Sequence, residues 1–350
     1  MNKDTRPFVS FCIKCYNQEQ LIEEALRGAF EQTYPNMEII ISDDCSTDRS
    51  VEVIKKKVAE YKENGGKFPV TIIENDHNLG NGGNWQKLCS VAQGEWFVKA
   101  DGDDRSLPTR VEELMKCWID GGRRATALGS DAFLIDMDSR SLGPVRRVVL
   151  RTNRPAGCVA AYHRSTYDKF GEFSVPSASD DCVYGPRAEY LGPVEYVDKP
   201  LVLYRVGAGT CRAVTNFRAT RVKMFKITKL WLEQCYHDLE YIKPNITKEQ
   251  YFSKKAYFDK FSSDVDYNIL YWGGRRQERA KLVSFRPLRS MLSANGLFKI
   301  ALILPDRICD AVLDMISHMH NTRLLLKYGE SFKGPGIDGF AIARIINCQK

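Results

Sequence analysis

Apolar and amphipathic stretches alternate along the first hundred residues of the chain. Four short apolar runs predict strands, at Phe8–Cys12, Met37–Ser42, Val70–Glu74 and Glu95–Ala100. Apolar residues at helical spacing predict the helices between them, at Glu19–Phe30, Val51–Tyr61 and Asn84–Ala92. Strands that alternate with helices form βαβ crossovers, so this part of the chain is predicted to be an α/β domain on a parallel sheet.

Polar side chains follow each of these predicted strands. The clusters are Tyr16-Asn17, Asp43-Asp44, Asn78-Leu79-Gly80 and Asp101-Gly102-Asp103-Asp104. In open sheets of this type the ligand lies beyond the carboxyl ends of the strands. We therefore expect the four clusters to converge on one rim and to form a binding site there.

The strongest of these clusters is the DGDD segment. Asp101, Asp103 and Asp104 repel one another and resist burial unless a cation neutralises them. Mg²⁺ or Mn²⁺ is held by one or two carboxylates and keeps other positions open for the phosphates of a nucleotide. The alternative is a solvated turn that caps a helix predicted at Pro108–Trp118.

Three further segments are candidates for nucleotide contacts, each with a plainer alternative. Asp43 and Asp44 could accept a hydrogen bond from a base or a ribose, or could cap the helix at Ser50. Tyr16 offers a face for a nucleobase, or simply packs. The glycine-rich segment 78–85 predicts a loop whose backbone NH groups approach a phosphate, or a plain loop with a helix cap. It matches neither the dinucleotide fingerprint nor the P-loop.

A second acidic pair lies far along the chain. Asp180 and Asp181 precede a short predicted helix and could supply a general base, or could cap that helix. The five histidines form no metal-ligand pattern, and no GxSxG sequence occurs.

Five ordered blocks resemble family 2 glycosyltransferases of the GT-A fold. The first runs VSFCIKCYNQEQLIEEALRGAFEQTYPNMEIIISDDCSTD, and NLGNGGNW, AQGEWFVKADGDD, GCVAAYHRSTYDKFGEF and SDDCVYGPRAEYLGPVEYVDKPLVLYR follow in order. The resemblance covers residues 7 to about 212. It implies a Rossmann-like mixed sheet that binds a nucleotide-diphospho-sugar, and a C-terminal helical extension.

The resemblance also implies a role for each matching residue. An inverting hexosyltransferase would bind its nucleotide-sugar donor through Tyr16, Asn17, Asp43, Asp44, Asn78 and Asp101. Asp103 and Asp104 would hold Mn²⁺ or Mg²⁺ on the diphosphate, and Asp181 would be the catalytic base. Two positions depart from the family pattern: Lys14-Cys15 stand where Pro-Thr is common, and no histidine occurs in the VGAGTCR segment after Arg205.

Charge divides the chain into two regions. Residues 1–210 carry 27 Lys and Arg against 31 Asp and Glu, whereas residues 211–350 carry 24 against 13. We assign 1–212 to a catalytic domain and 213–350 to a basic helical region. There, an amphipathic helix at Arg307–Met319 and an apolar run at Leu297–Leu304 predict contact with anionic lipid. The alternative is a lid or a subunit interface, so an oligomer stays open.

Composition sets the class of protein. With 350 residues and 43% hydrophobic content the chain can bury a full core. No apolar run reaches the ~20 residues of a membrane span, and the N-terminus lacks a signal-peptide core. The eleven cysteines are odd in number and follow no export signal, which favours reduced thiols. We expect a cytoplasmic protein, peripheral on the inner face of the membrane.

The predicted function is transfer of a sugar from a UDP-sugar to a lipid-linked saccharide in O-antigen or capsule synthesis. Two other classes stay open. A nucleotidyltransferase also combines an acidic cluster with an α/β nucleotide domain, but needs no acceptor base. A nucleic-acid-binding protein would explain the basic C-terminal region. Residues 1–210 are net acidic, so we expect no nucleic acid partner.

Overall fold

The computed structural model describes residues 6–145, 149–150, 154–155, 157–174, 180–205, 208, 217–273 and 277. These residues fall into two compact units divided between residues 209 and 210. The segments predicted at Leu297–Leu304 and Arg307–Met319 lie outside the described residues. The function assigned to each part of the chain stays a prediction.

The first unit is built from strands and helices in alternation. Its strands are β1 (Val9–Cys15), β2 (Met37–Asp43), β3 (Val70–Glu74), β4 (Trp96–Asp101), β5 (Arg105–Ser106), β6 (Ala127–Ile135), β7 (Ser141–Val145), β8 (Val149–Leu150), β9 (Arg154–Pro155), β10 (Ala161–His163) and β11 (Val194–Arg205). Its helices are α1 (Ile22–Phe30), α2 (Ser50–Glu63), α3 (Gly80–Val91), α4 (Arg110–Asp120), α5 (Ser165–Asp168) and α6 (Asp180–Leu191), with a short 3₁₀ helix at Gly157–Val159.

The main sheet is mixed. Its strand order is β3-β2-β1-β4-β10-β6-β11-β5, and β7 pairs with β6. The first four strands are parallel, as the βαβ pattern predicts. Beyond β4 the sheet departs from the all-parallel expectation, because β10 runs antiparallel to both of its neighbours while β11 runs parallel to β6. This mixed, helix-covered sheet is the one that the GT-A resemblance implies.

The core explains why the central strands are continuous apolar runs. Every residue of β1 and β2 is buried, as expected for parallel strands covered on both faces. α1 contributes Ile22, Leu26 and Ala29 to the core cluster that holds Phe11 and Ile39. Burial of such side chains stabilises the fold by about 1.5–3 kcal/mol each.

Two predicted helix starts are wrong, and both errors lie beside the rim. α1 begins at Ile22 rather than Glu19. α3 begins at Gly80 rather than Asn84, so much of the segment predicted as a glycine loop is the first turn of a helix. The NH groups of Leu79 and Gly80 donate to the Asp44 carboxylate, which allows the helix to start among glycines.

The second unit contains two long helices among its described residues, α7 (Phe217–Ile242) and α8 (Lys248–Gly273), joined through a 3₁₀ turn at Lys243–Asn245. Trp231, Leu232 and Leu239 of α7 are buried, as are Phe258 and Val265 of α8. Within the described part of the chain, no helix is long and apolar enough to span a membrane.

Candidate functional site

The sheet register brings three of the predicted polar clusters together. β1 lies between β2 and β4, with Cys15 opposite Asp43 and Lys14 opposite Asp101. The residues that follow these strands therefore emerge at one edge of the sheet. The fourth cluster, at residues 78–80, joins them through its hydrogen bonds to Asp44.

Asp43 and Asp44 are buried and held by uncharged donors. Asp43 accepts hydrogen bonds from the backbone NH and the hydroxyl of Ser46, at 2.8 and 2.6 Å. Asp44 accepts from the NH groups of Leu79 and Gly80, at 2.8 and 2.9 Å, and from Asn75 Nδ2 at 3.1 Å. The alternative in which this pair caps the Ser50 helix is wrong.

The N-terminus of α2 is served by Asp48. The backbone NH of Ser50 donates to Asp48 Oδ1 at 2.9 Å, and the Asp48 pKa is lowered by such hydrogen bonds although burial opposes the shift. Because Asp48 occupies this position, Asp43 and Asp44 are free to hydrogen-bond the loops of the rim instead.

Tyr16 and Asn17 form the turn that leaves β1. The Tyr16 side chain is 46% exposed, so its ring presents a free face at the rim. Asn17 has a left-handed backbone (φ 51°) and its Oδ1 accepts from Thr47 NH at 2.8 Å. Asn78 is exposed and its Oδ1 accepts from Gly80 NH at 3.0 Å. The turn after β1 is thus tied to the turn after β2.

Arg205 at the end of β11 holds the DGDD turn in place. Its backbone NH donates to the buried Asp104 carboxylate at 2.7 Å, and its guanidinium donates to the Asp103 carbonyl at 3.0 Å. Gly102 NH donates to the Lys14 carbonyl at 2.8 Å. A Cβ on Gly102 would lie 3.0 Å from that same carbonyl oxygen, which explains a glycine between the carboxylates.

The carboxylates of this turn differ in whether a positively charged side chain lies beside them. Burial opposes ionisation of Asp101, but Lys14 and Lys99 prevail and lower its pKa to about 2. Burial, and then the charge of Asp101, raise the pKa of Asp103 to about 6. Burial and the neighbouring carboxylates also raise the pKa of Asp104. Among the described residues no lysine or arginine forms an ion pair with Asp103 or Asp104, so this end of the turn favours a cation.

A group of three side chains here has the spacing of a metal site. Asp101, Asp104 and Cys158 each offer one ligand atom, and these atoms lie within 4.8 Å of one another. Oxygen ligands suit Mg²⁺ and Mn²⁺, and the sulfur adds a softer ligand. In the protein without metal, burial and the charge of Asp104 raise the pKa of the Cys158 thiol. These residues fit a divalent cation; the predicted ligand Asp103 is outside the group, and its role stays a prediction.

Asp180 and Asp181 begin α6 but lie in different surroundings. The Asp180 side chain is 1% exposed, with Oδ2 2.7 Å from Lys14 Nζ and 3.3 Å from Lys99 Nζ. Its Oδ1 accepts from Asn81 Nδ2 at 3.2 Å and from Asp181 NH at 2.9 Å. The Asp181 side chain is 19% exposed, and its Oδ1 lies 2.9 Å from Lys99 Nζ.

Two buried lysines connect this acidic pair to the DGDD turn. Lys14 Nζ lies 3.3 Å from Asp101 Oδ1, and Lys99 Nζ lies 3.5 Å from Asp101 Oδ2. Burial opposes the charge on Lys99, yet the three surrounding carboxylates raise its pKa well above the ordinary value. Asp101 and Asp181 therefore each form an ion pair with the same residue, Lys99. Both carboxylates lie on the shared rim that the sequence predicts.

The amino-acid sequence of this region matches a known family. Residues 10–167 match the sequence profile described as Glycosyl transferase family 2. These residues belong to glycosyl transferase family 2. The matched segment contains the Asp43-Asp44 pair, the DGDD turn and both lysines, and it ends before Asp180.

Family 2 relatives include proteins of bacterial polysaccharide synthesis. The chain is 28% identical over 130 residues to the putative glycosyltransferase EpsE of Bacillus subtilis, which covers 37% of this chain and 45% of the relative. It is 33% identical over 109 residues to the putative colanic acid glycosyl transferase WcaA of Escherichia coli, 31% of this chain and 37% of the relative. The succinoglycan biosynthesis protein ExoO of Rhizobium meliloti is 27% identical over 139 residues, 40% of this chain and 36% of the relative. The chain thus spans less than half the length of each of these relatives.

Solved structures of similar fold extend further along the chain. Staphylococcus aureus TarS 1–349 in complex with UDP-GlcNAc superposes with a TM-score of 0.51 at 17% identity, over 92% of this chain and 86% of that one. The mannosyltransferase PcManGT of Pyrobaculum calidifontis, in complex with GDP-Man and Mn²⁺, gives 0.53 at 18% identity, over 91% and 88%. These structures show that the fold of the chain is GT-A.

Sequence reasoning does not identify three residues of this candidate site. Lys14 is visible only as a departure from the family pattern, Lys99 reads as an ordinary lysine near the end of a strand, and Cys158 as a small core residue. Their partners lie far along the chain, 166 residues away for the contact between Lys14 and Asp180. No local pattern signals such contacts.

Proposed function

We propose that this protein transfers a sugar from a nucleotide-diphosphate donor to a hydroxyl acceptor with inversion at the anomeric carbon. The observation that carries the proposal is that Lys99 joins Asp101, in the same turn as the uncompensated Asp103 and Asp104, to the partly exposed Asp181. The first group suits a cation with its diphosphate, and Asp181 suits an incoming alcohol. Family 2 membership supports the same reaction class.

The donor is proposed to be a UDP-sugar. The exposed ring of Tyr16 offers a stacking face for the base, beside Asn17 and Asn78 on the same rim. An ionised carboxylate has about four acceptor sites. Asp44 uses three in the protein, so it retains capacity for one donor from a base, and Asp43 lies beside it. The complex of the similar fold in TarS with UDP-GlcNAc supports a uridine nucleotide.

Asp101, Asp104 and Cys158 are the residues that would hold a divalent cation, with Asp103 adjacent. Such a cation neutralises charge on the leaving diphosphate. The protein's own contribution is to hold the turn rigidly through Arg205 and to keep Asp101 ionised beside two lysines. The Mn²⁺ complex of PcManGT supports this choice of cofactor.

Asp181 is the better candidate for the base than its neighbour. Both oxygens of Asp180 are engaged and its side chain is buried, so it has no access to an acceptor. Asp181 is partly exposed, and burial followed by the charge of Asp180 raises its pKa from the ordinary value. A raised pKa brings a carboxylate nearer the pH at which it accepts a proton efficiently.

The reaction then follows from this placement. Asp181 takes the proton of the acceptor hydroxyl as that oxygen attacks the anomeric carbon. The new glycosidic bond forms while the bond from that carbon to the diphosphate oxygen breaks on the opposite face. Inversion follows from the single displacement, and no covalent enzyme intermediate is needed.

The acceptor is proposed to be a lipid-linked saccharide of a surface polysaccharide. The relatives named for colanic acid and succinoglycan synthesis support this class. The basic composition of residues 211–350 supports association with anionic lipid at the inner face of the membrane.

The test of the base is the Asp181→Asn variant. We expect turnover to fall by ~10²–10⁴-fold, the usual contribution of a general base, while calorimetry finds unchanged UDP affinity. Asp168→Asn, an exposed carboxylate on α5, is the matched control and should retain full activity. Screening UDP-, GDP- and dTDP-sugars identifies the donor. Unchanged turnover in Asp181→Asn would reassign the base.

A further inference from the structure

Lys99 is an unusual residue for its position in the sheet. It lies in β4 with a side chain 1% exposed, among residues that otherwise form the core. Burial of an ammonium group costs several kcal/mol unless it is well paired. An apolar side chain would fill the same space without that cost. The lysine therefore needs a reason beyond packing, and its three carboxylate partners supply one.

Lys14 provides an internal comparison. Both lysines lie close to Asp101 and to Asp180 Oδ2. Only Lys99 also reaches Asp181, at 2.9 Å from Oδ1. Within the described residues Lys99 is the one ion-pair partner of Asp181. Both lysines contact Asp101 and Asp180, but Lys99 also contacts the proposed base whereas Lys14 donates to Asn81.

The contact of Lys99 distinguishes the two oxygens of Asp181. Oδ1 is buried and lies 2.9 Å from Lys99 Nζ, an ion pair without hydrogen-bond geometry. Oδ2 faces Gly157, where it lies 3.7 Å from the point at which a side chain would begin. Among the described residues, Oδ2 is the one atom within 4 Å of that point, because residue 157 has no side chain. An acceptor hydroxyl would therefore meet Oδ2.

We propose that Lys99 is the positioning residue of the base: its ammonium group fixes Asp181 through Oδ1, presents Oδ2 to the acceptor, and ties this geometry to the donor side through Asp101. The inference rests on the proposed function. It adds that donor and acceptor sides are connected by one buried cation, so that the distance between leaving group and base is set before either substrate binds. Lys14 supports the donor side of the same cluster.

Electrostatics supplies an independent readout. Among the described residues, the charged and titratable groups that act most strongly on Asp181 are Asp180 on its own helix, Lys99 and Asp101 on β4, and Lys14 on β1, with Tyr162 on β10 also interacting with it. Burial and Asp180 raise the Asp181 pKa, whereas Lys99 and Lys14 lower it. Loss of Lys99 must therefore raise this pKa and loss of Asp180 must lower it. A purely structural role predicts no such opposite shifts.

The experiment compares Lys99→Met with Lys14→Met by steady-state kinetics across pH in the intact protein. Lys99→Met should lower kcat tenfold or more with the donor KM within about twofold, and should move the acid limb of the kcat profile to higher pH. Lys14→Met should act mainly on donor KM and move that limb less. Asp180→Asn should move it to lower pH.

A charge-balanced variant guards against misfolding. Lys99→Met combined with Asp180→Asn removes one positive and one negative buried charge, and its kcat should lie well below that of Asp180→Asn alone. Equal kcat values in these two proteins, or an unmoved acid limb in Lys99→Met, overturn the proposal. Failure of the proposed function is recognised separately, because Asp181→Asn would then keep its turnover.

Discussion

The two acidic clusters of the rim are stabilised by different kinds of partner. Asp43 and Asp44 are surrounded by backbone NH groups, a hydroxyl and an amide, none of which carries charge. The cluster of Asp101, Asp180 and Asp181 is surrounded by two lysines. Neutral donors satisfy hydrogen bonds and fix a loop, whereas lysines set the charge of the site. Residues of the same type thus shape the rim in one region and tune its chemistry in the other.

Asp103 and Asp104 differ from both clusters. Asp104 is buried and Asp103 partly buried, and neither forms an ion pair with a lysine or arginine among the described residues. Their raised pKa values reflect that imbalance. The comparison therefore predicts where an added cation belongs. It also predicts which substitutions damage function and which damage stability.

The largest expected effect is that of metal removal. EDTA should lower transfer by ~1,000-fold, since a metal supplies several kcal/mol of charge stabilisation in the transition state, and Mn²⁺ or Mg²⁺ should restore it. Asp104→Asn should weaken Mn²⁺ binding in calorimetry, while Asp43→Asn leaves it unchanged. Full activity in chelator, or equal loss of Mn²⁺ affinity in both variants, would remove the distinction between the clusters.

A smaller effect is expected on stability. Asp44→Ala removes the acceptor for two NH groups at the start of α3, and should lower the free energy of unfolding by about 2–3 kcal/mol in urea titrations. Asp76→Ala is the control in the neighbouring loop, because that side chain is 92% exposed; no measurable change in the free energy of unfolding is expected. Equal destabilisation in both proteins would contradict a structural role for Asp44.

The smallest effect concerns the exposed ring at the rim. Tyr16→Ala should weaken UDP binding by about 1–2 kcal/mol, the range of aromatic stacking on a base. The melting temperature should stay unchanged because the ring is half exposed. Tyr16→Phe keeps the face and should bind UDP normally. If both variants bind UDP as the parent does, the base lies elsewhere on the rim.

Much of the fold could be predicted because the buried parallel strands are continuous apolar runs. The positions of β1 to β4 and the rim that they share follow from that pattern. The antiparallel part of the sheet could not be predicted in the same way. β10 has only three residues, too few to show the alternation of apolar and polar positions that indicates a strand. Its place in the sheet depends on pairing with distant strands.

The site itself was only partly predictable. Acidic residues after strands are a local signal, and the family resemblance gave them roles. The sequence favours a loop for the glycine segment, because the start of its helix depends on Asp44, 35 residues earlier. The sequence does not identify the two lysines that lower the pKa of Asp181, for the same reason. A lysine in a strand does not reveal whether its partner is water or a carboxylate from another segment.

The contacts of Arg205 with the DGDD turn affect the order in which parts of the protein fold during synthesis. The contact joins residues 102 positions apart, so the turn lacks its guanidinium anchor until β11 has left the ribosome. Contacts of such long sequence separation form late, because closing the intervening chain is costly in entropy. The DGDD turn therefore gains this anchor only after the parallel strands that frame it have been made.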